Sequence, residues 1–322
     1  MRKLLLSTLL LLCSITAIPS WAQNKLKWAH VYESSEPFHK WSVWAADEIK
    51  KRTNGKYEIV VYPASQLGKE TDINQGLTLG TVDMIISGLS FAQRAYPRVG
   101  VGYYPFTFRD GDHLLKWSKS PAFKELADGL REKTGIQITS LTYYGARQTS
   151  TNRLFNDCDS MKNLKIRVPD SPAYTAMPRA CGANPTPIAF AEVYLALQNG
   201  TVEAQENPLP TIEAKKFYEV QKNIVMTSHI IDCVATEIAP HLWNKLSDAE
   251  KKIFTDVTQE AAAKASADVK KREQELLAEF KGKGINIVQV NRDSFKNAVL
   301  KNVPLESIGY QRSDWEKIQL IK

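Results

Sequence analysis

Runs of strand-forming residues alternate with helical stretches along the first part of this chain. Strand-type runs occupy residues 26–31, 57–62 and 82–86, and helical stretches with apolar residues at helical spacing begin at Pro37 and Lys69. The order β-α-β-α-β is typical of a parallel sheet covered by helices. In such a sheet ligands bind beyond the carboxyl ends of the strands. The loops that meet this description are residues 32–37, 63–68 and 87–91.

A second α/β unit follows the first. A strand-type run over residues 136–143 ends at Gly145, and residues 164–169 begin the second unit as another short strand. The chain then returns through residues 231–238. Ser247 and Glu250 have the spacing of a helix capping box, and the Ala, Lys and Glu content beyond them predicts one long helix to Gly282.

The length of 322 residues exceeds what one hydrophobic core usually serves, so we expect two lobes. We assign residues 23–145 and 232–282 to the first lobe. Residues 146–231 and 283–322 form the second, and the C-terminal helices are expected to pack across both.

The composition is that of a soluble globular protein, with 43% apolar and 24% charged residues. The formal net charge of +7 is spread along the chain and lacks the clustered Lys and Arg that a nucleic-acid surface needs. We therefore expect no nucleic-acid partner.

The N-terminus has the pattern of a secretory signal. Arg2 and Lys3 precede an apolar stretch over residues 4–18, and residues 20–22 place small side chains at the positions that signal peptidase recognises. A membrane anchor is the alternative, but the stretch is shorter than the ~20 residues that span a bilayer. Cys13 lies inside the apolar run, which does not fit lipid attachment. We predict a signal peptide over residues 1–22 and a periplasmic protein.

Removal of the leader would leave Cys158, Cys181 and Cys233, an odd number that allows at most one internal disulfide. We interpret these residues as buried thiols without a chemical role. Neither they nor the histidines have the spacing of a metal site, and no cofactor is predicted.

Arg167 is the strongest candidate for a binding residue. It lies in an apolar strand whose Ile166 and Val168 point to the opposite face, so its charge needs a partner. The planar guanidinium can pair two N–H donors with both oxygens of a carboxylate. A bound anion fits this requirement, and a structural ion pair with a nearby Asp or Glu is the alternative.

Arg147 and Asn207 are the other candidates. Arg147 follows Gly145 and either serves the same anion or faces solvent. Asn207 precedes Pro208, which holds it extended, so its amide can act as donor and acceptor toward a polar ligand. An ordinary turn asparagine is the alternative.

Longer motifs surround these residues. They are Y-P-A-S-Q-L-G, G-T-V-D-M, G-A-R-Q-T-S-T-N-R, L-K-I-R-V-P-D, N-P-T-P-I-A-F-A-E-V-Y-L-A-L-Q-N-G, Q-E-N-P-L-P and A-K-K-F-Y-E-V-Q-K. With them the chain resembles the extracytoplasmic solute-binding proteins of TRAP (tripartite ATP-independent periplasmic) transporters. The resemblance extends from about residue 26 to the long helix beyond Ser247.

The resemblance implies a two-lobed α/β periplasmic binding protein fold, with parallel-type sheets flanked by helices. Such a protein is no enzyme. It closes on a small organic anion, such as a hydroxy acid or a sugar acid, and delivers it to small and large membrane subunits for uptake driven by an ion gradient. We expect it to be a monomer.

The resemblance also implies roles for four residues. Arg167 matches the carboxylate-clamping arginine of the family, Arg147 its second arginine, and Asn207 its ligand-binding asparagine. Phe190 matches a residue that lines the pocket in the sialic-acid-binding members.

The first lobe differs from those members. They carry an Asn after the first strand and a Glu after the third, whereas residues 30–33 of this chain contain no Asn and residues 86–89 contain no Glu. We therefore expect a smaller hydroxy acid than sialic acid. Its distal contacts are predicted to be Tyr32, Glu33, Ser87, Ser90 and Phe91.

Two alternatives remain open at this level. The same clamp can bind a small hydroxy sulfonate such as isethionate, and the same fold can serve as a ligand-sensing module presented to a receptor. A secreted hydrolase is not indicated, because no nucleophile motif such as G-x-S-x-G occurs.

Overall fold

The structure is a computed structural model that describes residues 24–322. The signal peptide predicted at residues 1–22 lies outside the described residues. The strands are β1 (Asn24–His30), β2 (Tyr57–Tyr62), β3 (Met84–Ser87), β4 (Gln137–Thr151), β5 (Lys165–Val168), β6 (Asn184–Pro187), β7 (Ala204–Pro208), β8 (Asn223–Val225), β9 (Ile231–Ile238) and β10 (Asn286–Val288).

The helices lie between and after these strands. They are α1 (Pro37–Arg52), α2 (Glu70–Leu79), α3 (Leu89–Ala92), α4 (Gly111–Trp117), α5 (Pro121–Thr134), α6 (Pro172–Ala180), α7 (Val193–Gln198), α8 (Leu209–Ala214), α9 (Pro240–Trp243), α10 (Asp248–Gly282), α11 (Arg292–Asn302) and α12 (Arg312–Gln319). Short 3-10 helices occupy Pro97–Tyr103, Asp159–Met161, Phe190–Glu192, Phe217–Glu219 and Leu305–Ile308.

Local sequence explains where the principal helices begin. Pro37 occupies the first turn of α1, where a missing N–H costs nothing. The α10 helix begins behind the predicted capping box, in which Ser247 and Glu250 each bond the backbone N–H of the other. The long helix predicted to reach Gly282 is confirmed over its whole length. None of the helices within residues 24–322 combines the length and apolar character that crossing a membrane requires.

The strands form one extended sheet in the order β2-β1-β3-β9-β4-β7-β5-β6, with β8 beside β4 and β10 beside β8. The β-α-β units keep their strands parallel, as predicted: β1 with β2 and β3, and β5 with β6 and β7. The strands β4 and β9 run antiparallel to their neighbours. They join the two parallel groups.

The strand predicted to end at Gly145 does not end there. β4 continues to Thr151, and it changes partner between Ala146, which pairs with β9, and Arg147, which pairs with β7. Gly145 lies at a bulge with φ of +126°, where a Cβ atom would lie 2.6 Å from the Cβ of Pro208. The glycine therefore permits a bend within one continuous strand.

Two of the three cysteines interpreted as buried thiols form the one internal disulfide that their odd number allowed. Cys158 and Cys181 form a disulfide, since their Cα atoms lie 4.8 Å apart, within the span of such a bond. Cys233 is a buried free thiol in β9, as predicted.

Candidate functional site

Arg167 lies in β5 with 2% of its surface exposed. Its Nε and Nη2 atoms both donate to the carbonyl oxygen of Ile188, at 2.9 and 2.8 Å. Its Nη1 atom is buried and has no hydrogen-bond partner among the described residues. The structural ion pair considered from the sequence is not what the structure contains. Burial lowers the pKa of Arg167 to about 10, so the side chain stays charged at neutral pH.

Arg167 forms part of the wall of a small internal cavity of about 20 Å³. Two halves of the molecule contribute to this wall, namely the β1–α1 and β3–α3 connections on one side and β4, β5 and β7 on the other. The lining residues are Val31, Tyr32, Glu70, Gly88, Tyr144, Arg147, Arg167, Pro169, Tyr174, Phe190, Asn207 and Val234. The volume is close to that of a single water site, so aromatic side chains fill most of the space.

A wider outer cleft of about 340 Å³ adjoins this cavity. The two spaces share Glu70, Arg167, Pro169 and Phe190, and the outer cleft adds Lys69 from the start of α2. Arg167 therefore lines both the inner cavity and the outer cleft.

Arg147 has a different environment. Its Nε and Nη2 atoms bond the Glu206 carboxylate, and Nη1 donates to Asp232 Oδ2 at 2.8 Å. Nη2 also donates to Asn207 Oδ1 at 3.2 Å. Arg147 is 1% exposed, so the solvent-facing alternative is excluded. The side chain is therefore paired with two carboxylates where it lies in the cavity wall.

The pKa shifts of the groups around Arg147 reflect both their burial and these ion pairs. Burial alone would raise the pKa of Glu206, but Arg147 and His229 outweigh it and hold the pKa below its ordinary value. Burial lowers the pKa of His229, whose Nε2 atom lies 3.1 Å from Glu206 Oε2. Burial raises the pKa of Asp232 to about 6 despite its ion pair with Arg147. Arg147 thus meets two carboxylates, whereas Arg167 meets none within hydrogen-bond distance among the described residues.

Asn207 lies in β7 and is 2% exposed, so it is not a turn residue. Pro208 keeps its backbone extended, as expected. Its Nδ2 atom donates to Gln205 Oε1 at 2.6 Å, which leaves the second N–H of that group for a ligand. Phe190 faces the Arg167 guanidinium with its ring, 5.9 Å from the centroid to Cζ.

The predicted distal contacts divide into two groups. Tyr32 lines the inner cavity, and Phe91 lines the outer cleft. Glu33 instead accepts from Lys215 Nζ at 2.7 Å, and Ser87 accepts from Asn74 at 2.8 Å. Ser90 is fully buried in α3. The structure does not bring Glu33, Ser87 or Ser90 to the wall of either space.

Three polar side chains of the cavity wall were missed from the sequence. Tyr144 precedes Gly145 in β4, and only the bulge there decides which face its side chain occupies. Tyr174 lies in α6 with its ring 4.7 Å from the Arg147 guanidinium. Glu70 starts α2, where an acidic residue normally has a helix-stabilising explanation. Burial raises the pKa of Glu70 to about 7, while Arg167 and Arg147 lower it.

Taken together, the cavity presents one cation with an unused donor, one amide, several hydroxyl groups and one titratable carboxyl group. This set matches a small acid that carries hydroxyl groups. No group of three or more metal-ligating side chains occurs within residues 24–322.

Comparisons with known proteins agree with this chemistry. The bacterial extracellular solute-binding protein family 7 (DctP) matches residues 28–304. The sialic acid-binding periplasmic protein of Vibrio cholerae is 36% identical over 254 residues, which cover 79% of each chain.

Two solved structures have the same fold. A TRAP periplasmic solute-binding protein from Polaromonas, bound to D-erythronate, has a TM-score of 0.88 at 27% identity, covering 92% of this chain and 99% of that one. A TRAP periplasmic solute-binding protein from Haemophilus influenzae, with bound L-gulonate, has a TM-score of 0.87 at 29% identity, covering 92% and 99%.

These findings confirm the predicted α/β binding-protein fold and the prediction of a solute-binding subunit rather than an enzyme. They also agree with the extracytoplasmic location. The chain belongs to family 7 of the bacterial extracellular solute-binding proteins, the solute-binding subunits of TRAP transporters.

Proposed function

We propose that this protein captures a short sugar acid or hydroxy acid in the periplasm and delivers it to the small and large membrane subunits of a TRAP transporter. The observation that carries the proposal is the buried Nη1 atom of Arg167, which lacks a partner in the described residues and lies at the boundary of the cavity. A buried donor without a partner costs free energy. A ligand carboxylate would satisfy it.

The other groups of the cavity suit the hydroxyl end of such an acid. Asn207 has a free N–H, and Glu70 and the tyrosine hydroxyls can accept or donate hydrogen bonds. Arg147 contributes by holding Asn207 in place, and Phe190 packs over the guanidinium of Arg167. Sialic acid, D-erythronate and L-gulonate, which the relatives bind, are all carboxylic acids with several hydroxyl groups.

The sulfonate ligand and the receptor-presented sensor are not favoured, because the relatives are binding proteins named for carboxylic acids. The tyrosine lining of the cavity supports an acid shorter than sialic acid, as does the lack of the Asn and Glu that the sialic-acid-binding members carry in the first lobe. The same proposal includes a cleavable leader at residues 1–22 and a monomeric state. It also includes two lobes, one formed by residues 23–145 and 232–282 and the other by residues 146–231 and 283–322.

Thermal unfolding with candidate solutes tests this function. D-erythronate, L-gulonate, sialic acid and isethionate are each added to the protein purified from the periplasm. A ligand at 100 times its dissociation constant adds ~2.7 kcal/mol of stability, which a melting curve resolves. We expect the short sugar acids to raise the melting temperature. Stabilisation by isethionate alone would contradict the carboxylate assignment.

Small-angle scattering tests closure independently. Only a solute with higher affinity for the closed form can shift the equilibrium between open and closed forms. The radius of gyration is therefore expected to decrease when the stabilising acid is added. An unchanged scattering curve would argue for a rigid site.

A further inference from the structure

Glu36 is a buried carboxyl group that joins two distant segments of the chain. It lies between β1 and α1 and is 2% exposed. Its Oε1 atom accepts from the Thr211 hydroxyl at 2.7 Å, and its Oε2 atom accepts from the backbone N–H of Glu33 at 2.7 Å. Thr211 belongs to α8, which directly follows the cavity strand β7.

The contact continues into the cavity. Thr211 Oγ1 lies 3.1 Å from the hydroxyl of Tyr144, and this hydroxyl lies 3.3 Å from Asn207 Oδ1. Tyr144 and Asn207 both line the cavity. An unbroken path of hydrogen-bonding groups therefore links Glu36 to the Asn207 amide in the cavity wall.

The protonation state of Glu36 decides the direction of this path. Ionised Glu36 accepts a hydrogen bond from the Thr211 hydroxyl, which has only one proton to donate. The Tyr144 hydroxyl can then donate either to Thr211 Oγ1 or to Asn207 Oδ1. Protonated Glu36 can donate to Thr211, and Thr211 then donates to Tyr144. The Tyr144 proton is then committed to Asn207 Oδ1, where it adds to the bond from Arg147 Nη2 and strengthens the hold on the amide.

We propose that Glu36 is a positioning residue for Asn207, acting through Thr211 and Tyr144, and that the protein binds its solute more tightly when Glu36 is protonated. The inference rests on the proposed function, because it concerns affinity for the same acid. Glu36 itself does not line the cavity. Its effect is exerted through the two intervening hydroxyl groups.

The surroundings of Glu36 place this protonation near neutral pH. Burial raises the pKa of Glu36 to about 7, while the bonds from Thr211 and the Glu33 N–H, and the charge of Lys215, lower it. The Glu33 carboxylate raises it further. On the outer side, Glu36 shares a cleft with the charged side chains of Glu213, Lys216, Asp268, Lys271, Arg272 and Glu275.

Glu70 in the cavity wall and Asp232, which pairs with Arg147, also titrate in this range and must be separated from Glu36. Burial raises the pKa of Glu70 to about 7 and that of Asp232 to about 6. Both remain in a Glu36→Gln variant. The difference between the wild-type and variant profiles therefore isolates Glu36.

The test is calorimetric titration with D-erythronate at pH 6, 7 and 8. We expect the wild-type affinity to fall by about three- to tenfold more than that of Glu36→Gln over this range, the size of one hydrogen bond. Glu132→Gln, an exposed glutamate of α5, is the matched control and should follow the wild type. Parallel profiles for the wild type and Glu36→Gln would overturn the proposal.

Tyr144→Phe removes the middle of the path and gives a second readout. In its background, Glu36→Gln should cause no further change in the pH profile. A full additional change would show that Glu36 acts by another route. Melting temperatures of all variants establish that each one is folded.

A ligand-free measurement separates this proposal from the identity of the solute. The side-chain amide resonances of Asn207 should shift between pH 6 and 8 in the wild type by more than in Glu36→Gln. Failure of every acid to bind would contradict the proposed function alone. Equal amide shifts in both proteins would overturn the role of Glu36, whatever solute binds.

Discussion

Arg147 and Arg167 are both nearly fully buried beside the same cavity, yet their surroundings differ completely. Arg147 bonds two carboxylates and the Asn207 amide oxygen. Arg167 bonds only the carbonyl oxygen of Ile188 and keeps a buried donor unused in the described structure. This difference supports the proposal that Arg167, which has no carboxylate within hydrogen-bond distance among the described residues, meets the solute, whereas Arg147 chiefly holds neighbouring groups of the cavity wall in place.

The largest expected effect is on folding, at Arg147. Arg147→Ala leaves Glu206 and Asp232 buried without their cation, and removal of one partner from a buried ion pair costs about 3–5 kcal/mol. Chemical denaturation should show this loss in the free energy of unfolding. Arg131→Ala, which breaks a surface pair with Asp128, is the control and should cost no more than ~1 kcal/mol. Equal losses of unfolding free energy in the two variants would show that the buried ion pairs of Arg147 stabilise the fold no more than a surface pair does.

Substitution of Arg167 should instead weaken the affinity for the solute. Arg167→Ala removes one side of a desolvated charge pair with the solute, which typically costs ~2–5 kcal/mol, so affinity should fall at least ~30-fold. Arg167→Lys should lose much of this too, because an ammonium group cannot reproduce the two-pronged geometry. Calorimetry measures the affinity, and denaturation should show a smaller loss of stability than Arg147→Ala. Near-native affinity of Arg167→Ala would refute its role.

Two carboxyl groups beside these arginines, Glu70 and Glu206, should contribute opposite dependences of stability on pH. The folded pKa of Glu70, near Arg167, is raised to about 7, so the folded protein holds a proton that the unfolded chain has lost. Stability therefore falls as pH rises from about 4.5 to 7. Glu206, whose pKa is lowered, contributes stability above about 4.5 that is lost at more acidic pH.

Glu70→Gln isolates the first of these effects. Without solute, the change in unfolding free energy between pH 5 and pH 7.5 should become smaller by about 1–2 kcal/mol, a discounted value because Glu70 is partly exposed. Denaturation at the two pH values measures it, with Glu132→Gln as the control. If the unfolding free energy of Glu70→Gln depends on pH as in the wild type, the folded protein takes up this proton at a group other than Glu70.

The smallest expected effect is at the aromatic ring beside Arg167. Phe190→Leu keeps an apolar side chain but removes the ring over the guanidinium, which should weaken solute binding about two- to fivefold. Phe106→Leu is a matched control, since its ring lies at the same 5.9 Å from the Arg292 guanidinium, away from the cavity. Calorimetry should show no change for the control. A similar loss of solute affinity in both variants would show that the loss does not come from the contact between the Phe190 ring and Arg167.

Sequence periodicity predicted the parallel β-α-β units and the α10 helix, because both depend on local spacing of apolar residues and on a capping pair. It failed at Gly145, where a glycine signals either the end of a strand or a bulge within one. Only the partner strands β9 and β7 decide between these outcomes. The error had a consequence, since the face occupied by Tyr144 depends on the same bulge.

In the candidate site, too, the residues within sequence motifs were predicted and the contacts between distant segments were not. Motifs selected Arg147, Arg167, Asn207 and Phe190, and the structure places all four on the cavity wall. Distal contacts were harder to predict: Glu33 pairs with Lys215, and Glu70, which no motif selected, lines the cavity instead. Contacts between segments far apart in the chain leave no local pattern from which a side chain's partner can be deduced.

The amino-acid sequence by itself determined the family, the strand and helix units and the residue types available to bind an acid, because these follow from spacing and chemical identity. The tertiary structure alone decided which arginine is paired with carboxylates and which keeps a buried donor without a partner among the described residues. Charge pairing in a protein interior depends on three-dimensional distances, and Glu206 and Asp232 reach Arg147 through strands separated from it by many residues.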